Sequence, residues 1–165
     1  VGTVAAVAAA AGRVYVGGSF RAVNGVLRAG VVALDATTGA VLPWDAQLVA
    51  MNAPANVSAL AATPTRVYVA GFFQTAAGAS RNRFAILDAA SGAALPGALS
   101  ASLADPQIAN IEVTSARTYL YGGCRSGAWV VCAYDLDLNP LPGWTFPAPV
   151  SSTMAASDTA LYVIE

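Results

Sequence analysis

The sequence predicts an all-β protein built from repeated antiparallel units, and three observations support this fold class. Residues 13–44 return at 66–97 with the same spacing, and at 117–144 with a shortened middle. Each repeat contains short runs rich in valine and tyrosine, which favour strands, between glycine-containing turn signals. The apolar residues do not follow the 3.6-residue period of an amphipathic helix. The repeat is therefore the main signal in the chain.

The first repeat predicts four strands. Residues 1–10 form the first, and the β-prone triplet at 14–16 lies in the second. Residues 31–34 form the third. Residues 40–42 form the fourth, which ends at Pro43 and suits an outer edge because proline cannot donate to a ladder.

Three turn or packing signals separate these strands. Gly17-Gly18 permits a bulge or the close approach of a neighbouring backbone. Asn24-Gly25 is a turn signal inside the loop of residues 19–30. Asp35 and Gly39 have the chemistry of a tight turn, in which the carboxylate accepts backbone hydrogen bonds and glycine adopts a left-handed conformation.

The spacing of equivalent residues gives the length of one unit. Gly18 and Gly71 are 53 residues apart, and Gly71 and Gly123 are 52 apart. Units of this length with four strands are typical of a β-propeller, in which each unit is one blade. The chain, 1–165, is therefore predicted to be a partial β-propeller, with four-stranded blades at 1–50, 54–104 and 108–147 and the start of a fourth at 150–165.

Three blades and part of a fourth leave two apolar faces without a neighbour. Such faces mark a missing partner surface. The expectation is that the chain is an ordered portion of a longer propeller, or that two copies complete a ring. The predicted partners are other propeller blades, from the same or another chain.

Composition excludes several classes of function. The net charge is −1, all eight basic residues are arginine, and the chain has neither lysine nor histidine. This balance argues against nucleic-acid binding, which requires a basic surface. Because histidine and lysine are absent, the chain cannot assemble a Ser-His catalytic triad or a Ser/Lys dyad, and it offers no histidine as a metal ligand. The apolar run Val4–Ala11 is too short to span a membrane, which requires about 18 residues.

Neither a metal nor a cofactor is expected. The run Asp135-Leu136-Asp137-Leu138-Asn139 imitates the opening of a calcium loop, but Pro140 stands where such a loop needs glycine, and Phe146 stands where it needs glutamate. Asp135 instead aligns with the turn aspartates Asp35 and Asp88, which favours a structural role.

Cys124 and Cys132 are the only cysteines, and two arrangements remain open for them. They form one disulfide, or they are two small core residues. Their separation does not place them directly opposite one another across a short turn at Ser126-Gly127.

The candidate binding residues lie in the loops between the second and third strands. They are Arg21, Asn24, Arg28, Arg81 and Arg83. Arg28 and Arg81 share one register, so they either hold the loop by internal bonds or contact a ligand. Each of the tryptophans Trp44, Trp129 and Trp144 either packs between blades or contacts a sugar, and packing is favoured. A catalytic carboxylate pair would have to come from aspartates such as Asp45, Asp105 or Asp158.

Residues 17–25, followed by Arg28 and by Ala33-Leu34-Asp35, resemble the delta-60 repeat of bacterial β-propellers. Residues 33–42 are also similar to the blade ending of quinoprotein-type propellers, without the metal and cofactor residues of a quinone enzyme. The second repeat departs from the delta-60 pattern, and the third lacks the loop. The resemblance implies an extracytoplasmic protein, secreted or on the cell surface, with no defined chemistry.

The sequence is compatible with two functions. The first is a non-catalytic structural or interaction module, or an accessory subunit of a larger assembly, that binds a protein or glycan through its blade loops. The alternative is a propeller-type enzyme, such as a polysaccharide lyase or hydrolase, with its site in the central channel.

Overall fold

A computed structural model describes residues 2–97, 107–125, 128–147 and 153–164. Within these ranges the chain consists of strands, turns and bends, without a helix. The prediction of an all-β protein is confirmed at this level. In the part of the chain that the structure describes, no helix has the length and hydrophobicity that a membrane crossing requires.

Four small antiparallel sheets follow one another along the chain. The strands of the first repeat are β1 (Thr3–Ala10), β2 (Arg13–Ser19), β3 (Ala22–Val23), β4 (Val26–Leu27) and β5 (Val31–Asp35). Those of the second are β6 (Asn56–Ala62), β7 (Arg66–Phe72), β8 (Thr75–Ala76), β9 (Ala79–Ser80) and β10 (Phe84–Asp88). Those of the third are β11 (Ile108–Val113), β12 (Thr118–Arg125), β13 (Ala128–Tyr134) and β14 (Pro140–Pro147). The last two strands are β15 (Thr153–Ala156) and β16 (Leu161–Ile164).

The strand order is the same in each repeat. The first sheet is β1-β2-β5, the second is β6-β7-β10, the third is β11-β12-β13-β14, and the fourth is β15-β16. Two further hairpins, β3-β4 and β8-β9, lie in the loops that precede the third strand of the first two sheets. In the first repeat, the sequence predicts a loop over residues 19–30 with a turn at Asn24-Gly25, and the structure places a short hairpin there.

The predicted fourth strand at residues 40–42 is wrong for the first repeat. Only an isolated bridge, between Leu34 and Val41, joins this segment to the first sheet. Beyond this bridge Pro43 has no N–H to extend the ladder, and the carbonyl oxygens of Leu42 and Pro43 accept hydrogen bonds from Arg28 Nη2. The second repeat has a matching single bridge, and among the described sheets only the third has four strands.

A glycine and a β-bulge mark the same place in each repeat. Val4 pairs with Gly18, Val57 with Gly71 and Ile108 with Gly122, and each first strand then has a one-residue register shift. A Cβ atom on any of these glycines would lie 2.0 Å from a backbone oxygen of the opposite strand. The third repeat is therefore aligned on Gly122, 51 residues after Gly71, and the alignment on Gly123 is wrong.

The sheets pack against one another in chain order, with two different faces. We call the side that carries Tyr15, Tyr68, Tyr119 and Tyr162 the tyrosine face, and the side that carries Val7, Leu60, Ile111 and Met154 the aliphatic face. The tyrosine face of each of the first three sheets packs with the aliphatic face of the next sheet in one hydrophobic cluster. These three clusters form the core.

Hydrogen bonds reinforce the packing between sheets at one end of the strands. Both Arg13 Nη1 and Tyr15 Oη donate to the carbonyl oxygen of Ala89, in the turn after β10. Arg66 and Tyr68 donate in the same way to Leu136, in the turn after β13. We call this pair of donors the arginine–tyrosine latch, because the second strand of one sheet holds the turn of the next.

The structure joins Cys124 and Cys132 by a disulfide, so the first of the two arrangements left open by the sequence is the one present. Their Cα atoms are 6.3 Å apart. The pairing of β12 with β13 shifts between Gly122 and Arg125, and this irregularity brings Cys124 within reach of its partner. The bond ties two strands of the third sheet together.

Several predicted features lie outside the described residues. They are Asp105, Ser126-Gly127, the end of the second predicted blade at 98–104 and the start of the last at 150–152.

Candidate binding cleft

The predicted loop residues gather at one end of the sheets, which we call the loop end. Here the chain passes from β2 to β5 and from β7 to β10 through the two inserted hairpins. Asn24 and Gly25 both have positive φ angles, of 49° and 79°, which is the geometry of a two-residue hairpin turn. Ala77 and Gly78 form the same turn in the second repeat. Asn24 is exposed at the hairpin tip.

Arg28 and Arg81 both bond within the chain. Arg28 Nε donates to the carbonyl oxygen of Trp44 at 3.1 Å, and Nη1 lies 3.6 Å from an Oδ atom of Asp45. Arg81 Nη2 donates to the carbonyl oxygen of Leu95 at 3.0 Å. In both repeats the guanidinium therefore holds the segment that follows the sheet.

Arg21 and Arg83 have different surroundings. Arg21 is exposed beside the first hairpin. Arg83 is half-buried, has a positive φ of 60°, and places its guanidinium carbon 5.0 Å from the centroid of the Phe72 ring. That distance is within the range of a cation–π contact, so the side chain is oriented by the ring.

A cleft of about 360 Å³ opens between the second and third sheets at the loop end. It is lined by Asn56, Ser58, Gly71, Phe72, Arg83, Gln107, Ile108, Ala109 and Trp129. The first two repeats carry a hairpin at this end, whereas no inserted hairpin is described between β12 and β13 of the third. The shorter connection leaves Trp129 and Phe72 half-buried at the cleft.

Internal contacts hold the walls of the cleft. The Trp129 ring meets the Tyr121 ring edge-on, with centroids 5.5 Å apart. Ser58, the bulge residue of β6, donates from Oγ to the carbonyl oxygen of Ile108 at 3.1 Å. This bond joins the second sheet to the third directly at the base of the cleft. The lining is therefore positioned before any ligand arrives.

The chemistry of the cleft is that of a binding surface. It combines two aromatic rings, one guanidinium, the side-chain amides of Asn56 and Gln107 and a hydroxyl, and its lining contains no carboxylate. Aromatic and arginine side chains contribute much of the energy at binding surfaces. The set suits a ligand with a flat apolar surface and with carboxylate or hydroxyl oxygens.

The carboxylates lie elsewhere and cap turns. Asp35, Asp88 and Asp135 each accept backbone N–H groups two and three or four residues further along. The side-chain donors Thr38, Ser91 and Asn139 complete the turns. Hydrogen bonds to the charged form lower the pKa of all three aspartates below the ordinary value.

The run at 135–139 is thus a turn capped by its aspartate, as in the other two repeats, but one residue shorter: the Asp135 N–H donates to the carbonyl oxygen of Asn139, whereas those of Asp35 and Asp88 donate to Ala40 and Ala93. Among the described residues, no group of three or more histidine, cysteine, aspartate or glutamate side chains has the arrangement of a metal site.

A second cleft, of about 650 Å³, lies at the other end of the strands. Its lining carries one carboxylate, Asp158, which accepts a hydrogen bond from the backbone N–H of Ser115 at 2.8 Å. Hydrogen bonds from Ser115 lower the pKa of Asp158. This carboxylate joins the third sheet to the fourth and is engaged in that role.

Of the candidate residues from the sequence, the structure brings only Arg83 into the cleft. Arg21 and Asn24 lie on the first hairpin, and Arg28 and Arg81 bond to backbone. Phe72, Gln107 and Trp129 were missed as site residues because they come from two different repeats. A comparison of the repeats could have found them, since Trp129 stands where the third repeat has lost the loop of the others.

No protein-family model matches this sequence, and a search of curated proteins finds no relative of it.

Proposed function

We propose that this chain is a non-catalytic interaction module, whose sheets are blades of a β-propeller and whose loop end binds a protein or glycan partner. Support for the blade architecture comes from antiparallel sheets that stack in chain order through equivalent contacts, from repeats of 53 and 51 residues. The delta-60 resemblance of residues 17–25 favours the same architecture and an extracytoplasmic location.

The observation that carries the binding function is the cleft between the second and third sheets. Its aromatic rings are held in place by contacts within the chain, and Arg83 lies over Phe72 beside Trp129. A preorganised surface loses little conformational entropy on binding. The lining lacks the paired carboxylates, histidine or lysine that would give it an acid–base role.

The test is a binding screen of the folded chain against a glycan array and a displayed peptide library. We expect the wild type to capture members of one of the two libraries. Trp129→Ala and Arg83→Ala should each weaken that capture by about tenfold or more, because each removes an anchoring side chain.

Arg117→Ala is the matched control for charge, since Arg117 is an exposed arginine at the other end of the strands. It should leave binding unchanged. Capture that survives both cleft variants, or that Arg117→Ala reduces equally, would place binding outside the cleft and contradict the proposal. The library that yields the ligands decides between a glycan and a protein partner.

A further inference from the structure

The hairpin in each of the first two repeats starts from a buried phenylalanine. Phe20 and Phe73 each stand two residues after the glycine of the β-bulge, and they are 9% and 0% exposed. The carbonyl oxygen of Phe20 accepts a hydrogen bond from the N–H of Gly30 at 3.0 Å. That of Phe73 accepts one from the N–H of Arg83, also at 3.0 Å. The phenylalanine therefore anchors the base of the hairpin by its ring and by its carbonyl group.

The third repeat has Cys124 at this position, followed by a shorter connection. Gly30 lies ten positions after Phe20, whereas Val130, the equivalent of Gly30, lies only six after Cys124. The five residues between Cys124 and Val130 are fewer than the six that form the hairpin over residues 22–27. The connection is therefore too short for the hairpin of the other repeats, and the end of β12 needs a different anchor.

Three positions of the third sheet differ together from those of the other two repeats. Strand pairing and the distance from the bulge glycine give the equivalents: Phe20 and Phe73 for Cys124, Val32 and Ala85 for Cys132, and Leu34 and Leu87 for Tyr134. In the second repeat, Phe73 and Ala85 belong to one hydrophobic cluster, so packing joins the anchor to the third strand. In the third repeat, two cysteines stand in these two places.

The three substituted positions are bonded to one another. The disulfide joins Cys124 to Cys132, and the Tyr134 hydroxyl donates to the carbonyl oxygen of Cys124 at 3.0 Å. All three side chains are buried. The hydroxyl thus bonds to the carbonyl oxygen that accepts from a backbone N–H in the other repeats, and the disulfide makes the link that a phenylalanine ring makes there by packing.

Trp129 lies inside the stretch that the disulfide closes. The register of β12 with β13 shifts between Gly122 and Arg125, and Trp129 stands between the paired residues Ala128 and Val130, where the ladder is irregular. A regular ladder therefore does not fix the backbone of the tryptophan. The disulfide restricts this backbone covalently, and a cross-link of that kind preorganises a binding surface.

We propose that Cys124, Cys132 and Tyr134 form a cross-linked anchor, which replaces the phenylalanine anchor of the other repeats and holds Trp129 in position at the cleft between the second and third sheets. None of the three lines the cleft, so they are positioning residues that act through Trp129. Their part in binding rests on the proposed function of the cleft. Their effect on the Trp129 side chain does not, and it can be measured without a ligand.

The test follows the indole N–H signals of the tryptophans by NMR in the free chain. In the double variant Cys124→Ala/Cys132→Ala, we expect the Trp129 signal, assigned by its loss in Trp129→Phe, to move or broaden. The Trp44 signal should stay in place, because that ring packs against the first sheet and bonds to the second. Tyr134→Phe keeps the disulfide, and should move the Trp129 signal by a smaller amount through loss of one hydrogen bond.

Val67→Ala is the matched control for lost stability. Val67 is fully buried in the cluster between the first two sheets, so its truncation leaves a cavity and should lower the unfolding temperature. It should leave the Trp129 signal unchanged. A Trp129 signal that stays in place in the double variant and in Tyr134→Phe, or that moves as much in Val67→Ala, would overturn the proposal.

Binding gives a second readout, with the ligands that the wild type captures from the glycan array or the peptide library. The double variant should weaken this capture at least tenfold, as Trp129→Ala does, and Val67→Ala should leave it unchanged. Capture that the double variant leaves intact would show that the anchor does not position the cleft. A wild type that captures no ligand would contradict the proposed function, and the Trp129 signal would still decide whether the anchor holds the tryptophan.

Discussion

The hydroxyl of Tyr15 donates a hydrogen bond to the carbonyl oxygen of Ala89, 3.0 Å away, across the boundary between two sheets. Tyr15 is 1% exposed and also meets the Trp44 ring edge-on, at 5.2 Å between centroids. The second repeat makes the same type of bond, from Tyr68 to Leu136. One residue of the repeat therefore packs the core and fixes the turn of the following sheet.

Thr118 provides a direct test of packing in the third sheet. It stands where the other repeats have Val14 and Val67, and its fully buried hydroxyl has no hydrogen-bond partner among the residues that the structure describes. A buried polar group without a partner carries a desolvation cost, so Thr118→Val should raise the free energy of unfolding by about 1 kcal/mol. Urea unfolding measures the change. A loss of stability would show that the hydroxyl has a partner.

Adjacent glycines in β12 test the alignment of the repeats. A Cβ atom on Gly122 would lie 2.0 Å from the carbonyl oxygen of Gln107, whereas one on Gly123 would be 3.7 Å from its nearest neighbour. Gly122 also has a φ of +141°, which disfavours alanine. Gly122→Ala should therefore destabilise the chain by about 2 kcal/mol or more, and Gly123→Ala, the matched control, by much less. Equal losses would contradict the alignment on Gly122.

The turn aspartates predict a loss of stability in acid. Hydrogen bonds from Ser91 hold the pKa of Asp88 below its ordinary 3.8 in the folded chain. A lowered pKa stabilises the fold above the unfolded-state pKa, and this contribution disappears as the pH falls through the folded-state pKa. Asp88→Asn keeps an acceptor oxygen without the charge and should make the unfolding free energy depend less steeply on pH as the pH falls from about 5 to about 2, while the other turn aspartates keep their contribution.

Ser91→Ala serves as the companion variant, because it removes the side-chain donor and leaves the carboxylate. Its pH dependence should lie between those of the wild type and Asp88→Asn. If all three chains lose stability in parallel, the acid sensitivity comes from other groups.

Much of the fold could be predicted from local sequence patterns. The β-prone runs, the Asn24-Gly25 turn and the aspartate turns are set by a few neighbouring residues, and they lie close to their predicted positions. The fourth strand of the first repeat is reduced to a single bridge, and the backbone oxygens of Leu42 and Pro43 bond instead to Arg28, from an earlier part of the repeat. Local propensity carries no information about that bond.

The site was less predictable than the fold. Arg83 could be selected from its loop, but Phe72 and Trp129 come from different repeats and face one cleft only because the two sheets stack. The repeat spacing aligns Gly123 with Gly18 and Gly71, whereas in the structure the equivalent residue is Gly122. The sequence does not distinguish two adjacent glycines. What separates them is the distance from each Cβ position to the opposite strand.

The most direct test of the stacking of sheets compares Tyr15→Phe with Tyr162→Phe by urea unfolding, at a protein concentration where the chain is monomeric. The two tyrosines share one repeat position, but Tyr15 bonds to the next sheet and Tyr162 is 60% exposed. Loss of the buried hydrogen bond should lower the unfolding free energy of Tyr15→Phe by about 1 kcal/mol, while Tyr162→Phe should match the wild type. Equal effects of the two substitutions would contradict the stacking of the tyrosine face on the following sheet.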